Sequence, residues 1–208
     1  MQRMAGRRTQ AERREQTRTA LLDATVSCLV DLGFSGTTTT EVTRRAGVSL
    51  GALLHYFPAK ADLLAAAVGH VLERRQAEFR ASMASLEPGT DRMSAAIDLL
   101  WSAFAGPTFT AWVELWVAAR TDAHLAAEVV AVDERFLQSS EELFRELFPE
   151  SDFPDQMAVL PFVFAVMDGI ALQRLVPHGD NGKAALDTFK AVARRIVAAP
   201  ASDQEEIS

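Results

Sequence analysis

What this 208-residue chain has little of narrows its class first. It holds one cysteine, Cys28, so no disulfide can form within the chain, which suits a reducing, cytoplasmic setting. The neighbours of Cys28 put it on the apolar face of a helix, as a core residue rather than a reactive thiol. The longest apolar run, residues 157–167, includes Pro161 and is too short to cross a bilayer. No apolar segment closely follows the basic N-terminus, so neither a secretory leader nor a membrane partner is expected. The sequence also lacks HExxH, GxSxG, GxxxxGKS/T and a GxGxxG after a strand. Its four histidines (His55, His70, His124, His178) show no metal-ligand spacing, and a lone cysteine excludes a cysteine-based zinc site. No enzymatic activity, no cofactor and no metal are expected. Convincing strands, internal repeats and low-complexity tracts are missing as well.

A surplus of positive charge is also missing, since the net charge is −7, which by itself argues against a nucleic-acid partner. Its distribution reverses that reading. Residues 1–60 carry nine Lys/Arg against five Asp/Glu, while residues 61–208 carry twelve against twenty-three. The chain therefore has a basic end and an acidic body.

What is present is helical periodicity. Residues 1–10 form a flexible basic arm with Arg3, Arg7 and Arg8, either a solvated leader or a strand that reaches phosphates and the minor groove. From about Ala11 to Leu32, residues Leu21, Thr25, Cys28, Leu29 and Leu32 trace one stripe, and Gly33 stops that helix. The threonines at 37–40 cap a second helix, for which Glu41 can complete a capping box. Val42 and Ala46 face inward together, and Arg44, Arg45 and Gly47 close it. Ser49 caps a third, in which Leu53 and Phe57 share a face. Two short helices around a Gly-containing turn make a helix-turn-helix, whose second helix enters the major groove of DNA. The alternative is that the corner serves only as scaffold.

After Phe57, Pro58 ends the recognition helix, and a long helix runs from about Lys60 to Leu86, with Lys60 near its phosphate-attracting N-terminus. Breaks at residues 87–91, 106–107, 149–154 and 177–182 separate helices over about 92–104, 109–119, 121–148, 155–176 and 183–198. The helix at 155–176 is apolar nearly all round, which implies burial on several sides. Its Asp168 is expected to be paired, as a structural carboxylate or in a dimer or ligand contact. Residues 199–208 read as a disordered tail. The fold class is all-α, with about nine helices: a helix-turn-helix domain at 11–60 and a helical domain at 61–198.

Gly33-Phe34, the threonine cluster, Ala46-Gly47-Val48-Ser49, Gly51, Leu53, Tyr56-Phe57, Lys60 and Asp62-Leu63 together resemble the DNA-binding domain of the TetR family of transcriptional regulators. The match is dense from about Arg18 to about Val71. It departs at Leu54, where the family often has a tyrosine that touches the DNA backbone. The resemblance implies a dimer through the last two helices, related by two-fold symmetry, on a palindromic double-stranded operator. It also implies a small-ligand cavity in the larger domain. Trp101, Phe104, Trp112, Trp116 and Phe164 are its candidate walls, suited to an apolar or aromatic ligand; as an alternative, these rings simply fill the core.

For the DNA, Thr38, Thr39, Ser49, Tyr56 and Lys60 are expected to fix register on phosphates. Arg44, Arg45, Leu50, Gly51, Ala52 and His55 are expected to face the groove. The function expected is a ligand-responsive repressor. The alternatives are a helical binding module without DNA contact and a helical enzyme with an aromatic pocket.

Overall fold

The structure, a computed structural model, describes residues 9–149, 156–175 and 182–198. The expected basic arm, apart from Thr9 and Gln10, and the expected tail lie outside the described residues, as do most of the loops expected at 149–154 and 177–182. Thr9 caps the first helix, α1 (Gln10–Gly36), in a full capping box with Glu12. Its polar start gives way to a stripe in which Leu21, Leu22, Thr25, Cys28 and Leu29 are buried. Leu32, expected on that stripe, is exposed instead, because the helix kinks directly after it. Gly33 makes the kink at φ 67, ψ −178, a conformation open in practice to glycine alone. Part of α1 is long and apolar enough to cross a bilayer, but Leu21, Leu22, Cys28 and Leu29 within it are buried in the core.

Eight further helices follow among the described residues: α2 (Thr39–Ala46), α3 (Leu50–Tyr56), α4 (Lys60–Ala84), α5 (Arg92–Phe104), α6 (Pro107–Ala119), α7 (Ala123–Leu147), α8 (Gln156–Leu172) and α9 (Gly182–Ala198). They fall into two compact units. The first comprises the chain to Val71 together with residues 110–132. Its core is Leu21, Leu22, Ala24, Cys28, Val42, Leu53, Phe57, Leu63 and Ala67, so α1, α2, α3 and the start of α4 share one apolar centre. The Cys28 thiol is sealed in that centre, and burial pushes its pKa up.

The second unit comprises residues 72–109 and the chain from Asp133 on. Its core gathers Ile97 of α5, Met167 of α8, and Leu186 and Phe189 of α9. Asp91 caps α5 through the Ser94 N–H and holds Arg194 of α9, while Lys190 of α9 pairs with Asp98. The all-round apolarity of α8 is not matched by burial within one chain. Phe162 is 54% exposed, and with Val166, Ile170, Phe189 and Val192 it lines an open trough of about 460 Å³ along α8 and α9.

Candidate nucleic-acid interface

The helix-turn-helix is set by three local devices. Thr38 caps α2, its hydroxyl accepting from the Glu41 N–H at 3.2 Å. Gly47 ends α2 in the left-handed region at φ 67, ψ 32, where a side chain would be strained. Ser49 then caps α3, accepting from the Ala52 N–H at 3.2 Å. One face of α3 is anchored by Leu53, which is buried, followed by buried Phe57. On the other side Leu50 and Leu54 are each 48% exposed, and Gly51 and His55 are exposed with them. Ala52 is half-buried. Two bulky apolar side chains held in solvent on a seven-residue helix are poorly explained by folding of this chain alone.

Several residues expected on this face are committed elsewhere. The capping box at α2 is only half formed, because the Glu41 carboxylate turns outward to the two arginines rather than back to Thr38. It accepts from Arg44 Nε and Nη2 at 2.7 Å each and from Arg45 Nε at 2.8 Å. Those bonds hold the Glu41 pKa down at about 2 and raise that of Arg45. Arg45 also donates to Asp31 at 2.6 Å and Ser27 at 2.8 Å, both on α1, and only 20% of its side chain is exposed. It thereby ties α2 to α1. Arg44 keeps 69% of its side chain exposed and remains available.

Two expected phosphate contacts are likewise turned inward. The Tyr56 hydroxyl donates to the Arg14 carbonyl at 3.2 Å. The Lys60 ammonium donates to the Phe34 carbonyl at 3.4 Å and lies 4.5 Å from the centre of the Phe34 ring, and burial lowers its pKa. From α6, Glu114 accepts from the Phe34 N–H at 2.7 Å. The kink near the end of α1 is thus gripped from two sides.

The aromatic residues expected to line a ligand site are divided between the two units. Trp112 and Trp116, 5.5 Å apart, belong to the first unit. Trp101, Phe104 and Phe164 belong to the second, where Arg174 stands over the Trp101 ring. There the Phe104 ring lies tilted 6.0 Å from Phe164 and 5.8 Å from Phe109, and Phe164 stacks 5.5 Å from Phe136. Sequence reasoning passed over Asp133, three residues before Phe136. Asp168, four residues after Phe164, feels that carboxylate. Burial first, and then the Asp133 charge, push its pKa up to about 6.

Comparison with known proteins finds two family matches along the chain. Residues 21–67 match the family described as bacterial regulatory proteins, tetR family, and residues 89–200 match the BetI-type transcriptional repressor C-terminal family. An HTH-type transcriptional regulator of Mycobacterium tuberculosis is 34% identical over 172 residues, covering 80% of this chain and 87% of its own. A crystal structure of a TetR-family regulator from a Rhodococcus species superposes with a TM-score of 0.70 at 18% identity, over 88% of this chain and 100% of that one. A regulator from Saccharomonospora viridis in complex with choline superposes at 0.65 with 14% identity, over 89% and 97%. The relatives are transcriptional regulators, not enzymes, and they do not favour a module without DNA binding.

Proposed function

The chain belongs to the tetR family of bacterial regulatory proteins and is a DNA-binding transcriptional regulator with a repressor-type C-terminal half, and from that premise we propose which residues do the work. The recognition surface is the open side of α3, Leu50, Gly51, Ala52 and His55, joined by Arg44 from α2. The observation that carries this reading is the solvent exposure of Leu50 and Leu54 on a helix whose opposite side is fully anchored. Thymine methyl groups suit such leucines, and Arg44 suits a guanine edge. Thr38, Thr39 and Ser49, at helix starts, fix register on phosphates. Tyr56 and Lys60 join them by turning from Arg14 and Phe34.

The protein works in the cytoplasm as a homodimer through α8 and α9, and the open apolar trough on those helices supports that interface. Two recognition helices related by two-fold symmetry call for a palindromic operator with half-sites one DNA turn, or a multiple, apart. The ligand is a small organic cation with apolar groups. The ring cluster around Phe104 and Phe164 offers π-faces, and Asp168, four residues after Phe164, adds a carboxylate to which a cation is attracted. A fold neighbour complexed with choline accords with this class. Binding acts on α4 and so on the recognition helices, provided the two states differ in ligand affinity.

Selection of duplexes from a random pool tests the DNA half of this proposal. The expected product is an inverted repeat whose protein affinity falls with Arg44→Ala by about 1–3 kcal/mol at one base pair. Equal retention of all duplexes by wild type and Arg44→Ala would remove Arg44 from recognition. Titration with tetraethylammonium, followed by tryptophan fluorescence, tests the ligand half. The expected signal is lost in Asp168→Asn, whereas a preference for an uncharged isostere would overturn the cation.

A further inference from the structure

Away from the DNA-facing helix, the first unit brings together three side chains that nothing above employs. Asp62 stands in the first turn of α4, and His124 and Glu128 stand four residues apart at the start of α7, hence on one helix face. A carboxylate oxygen from each acid and an imidazole nitrogen of His124 all lie within 4.8 Å of one another. His124 Nε2 and Asp62 Oδ1 are 3.3 Å apart. Two ligands bound tetrahedrally to one ion at about 2.1 Å each sit roughly 3.4 Å from one another, so this pair already has the spacing that a shared ion requires.

Asp62 is also preset for such a role. Its Oδ2 accepts from the Ala59 N–H at 3.2 Å, which orients the carboxylate and leaves Oδ1 turned toward His124. All three side chains are partly open to solvent, so an ion has a path in and water can complete its coordination. An imidazole with two carboxylates suits zinc, cobalt or nickel, whereas calcium and magnesium prefer an all-oxygen shell. As a mere exposed ion pair, His124 and Asp62 would contribute little and would give Glu128 nothing to do.

We propose that Asp62, His124 and Glu128 bind one divalent transition-metal ion, of which zinc is the type, and that the ion clamps the start of α4 to the start of α7. Two of the three ligands are written in the sequence as His124-x-x-x-Glu128. The third ligand lies 62 positions before His124 and is supplied only by folding.

The test is titration of the chelator-stripped full-length protein with zinc and, as a spectroscopic reporter, with cobalt. Wild type is expected to take up one ion per chain, to show visible cobalt d–d bands, and to gain a few degrees in Tm at saturation. His124→Ala and Glu128→Gln are expected to weaken binding at least about tenfold. Asp62→Asn keeps an acceptor for the Ala59 N–H, so it separates loss of the ligand from loss of the helix start. His70→Ala, outside the cluster, is expected to bind as wild type does. Equal affinity in His124→Ala and His70→Ala, or no ion retained by wild type, overturns the site. Should the variants unfold, cobalt-induced broadening of the His124 imidazole resonances in wild type decides the matter, and its absence refutes the proposal.

Discussion

Among single residues, the charges around α2 carry the clearest consequences. Glu41 is shared by Arg44 and Arg45, and its pKa of about 2 lies below the ordinary 4.5. A depressed acid contributes stability that is fully present above about pH 4.5 and is lost as pH falls toward 2. Glu41→Gln is therefore expected to lower Tm at neutral pH, with the difference closing across that acid window in a pH series of thermal melts. Arg45→Ala is expected to lower Tm as well but to leave the selected DNA sequence unchanged, because its guanidinium faces α1. Asp168 has the opposite sign. Its pKa is raised from an ordinary 3.8 to about 6, so folding takes up a proton in that window and stability falls as pH rises through it. Asp168→Asn is expected to stabilise the protein above pH 6 by about 1 kcal/mol, discounted for solvent screening, with no gain below pH 4.

Elements were the most legible level of the sequence, and the reasons differ from helix to helix. The Thr38 and Ser49 caps, the Gly47 stop and the Asp91 start depend on neighbours within four residues, so spacing alone reveals them. Leu32 fits the same periodicity yet is exposed, because a stripe records only direction and the kink at Gly33 changes what it faces. Arg45 looked like a helix-end cation, since its partner Asp31 lies on another helix. Lys60 and Phe34, or Asp62 and His124, are likewise pairs created by tertiary structure. At this scale, Ser49→Ala is expected to destabilise α3 by about 1 kcal/mol, seen as faster amide exchange in residues 50–56. Gly33→Ala should be costlier, about 1–3 kcal/mol, since its backbone conformation excludes a side chain and the new methyl would meet Glu114 Oε2 at 3.0 Å. A denaturant melt measures it.

For the molecule as a whole, an α8 apolar nearly all round calls for more partner surface than one chain supplies, and Phe162 on it is indeed exposed. Hydropathy cannot distinguish burial within a chain from burial between two copies. If the α8–α9 trough joins two protomers, Phe162→Glu combined with Val192→Glu is expected to give a folded monomer by light scattering. That monomer would bind a two-half-site duplex at least about 100-fold more weakly, as simultaneous engagement is lost. The buried thiol in the first core has a practical bearing on the same question. Because the one native sulfhydryl is sealed and held protonated, a new cysteine at exposed Leu50 can take a nitroxide label with the natural sequence otherwise intact. Paired labels would then serve as a ruler, reading the gap between the reading heads directly as effectors are added.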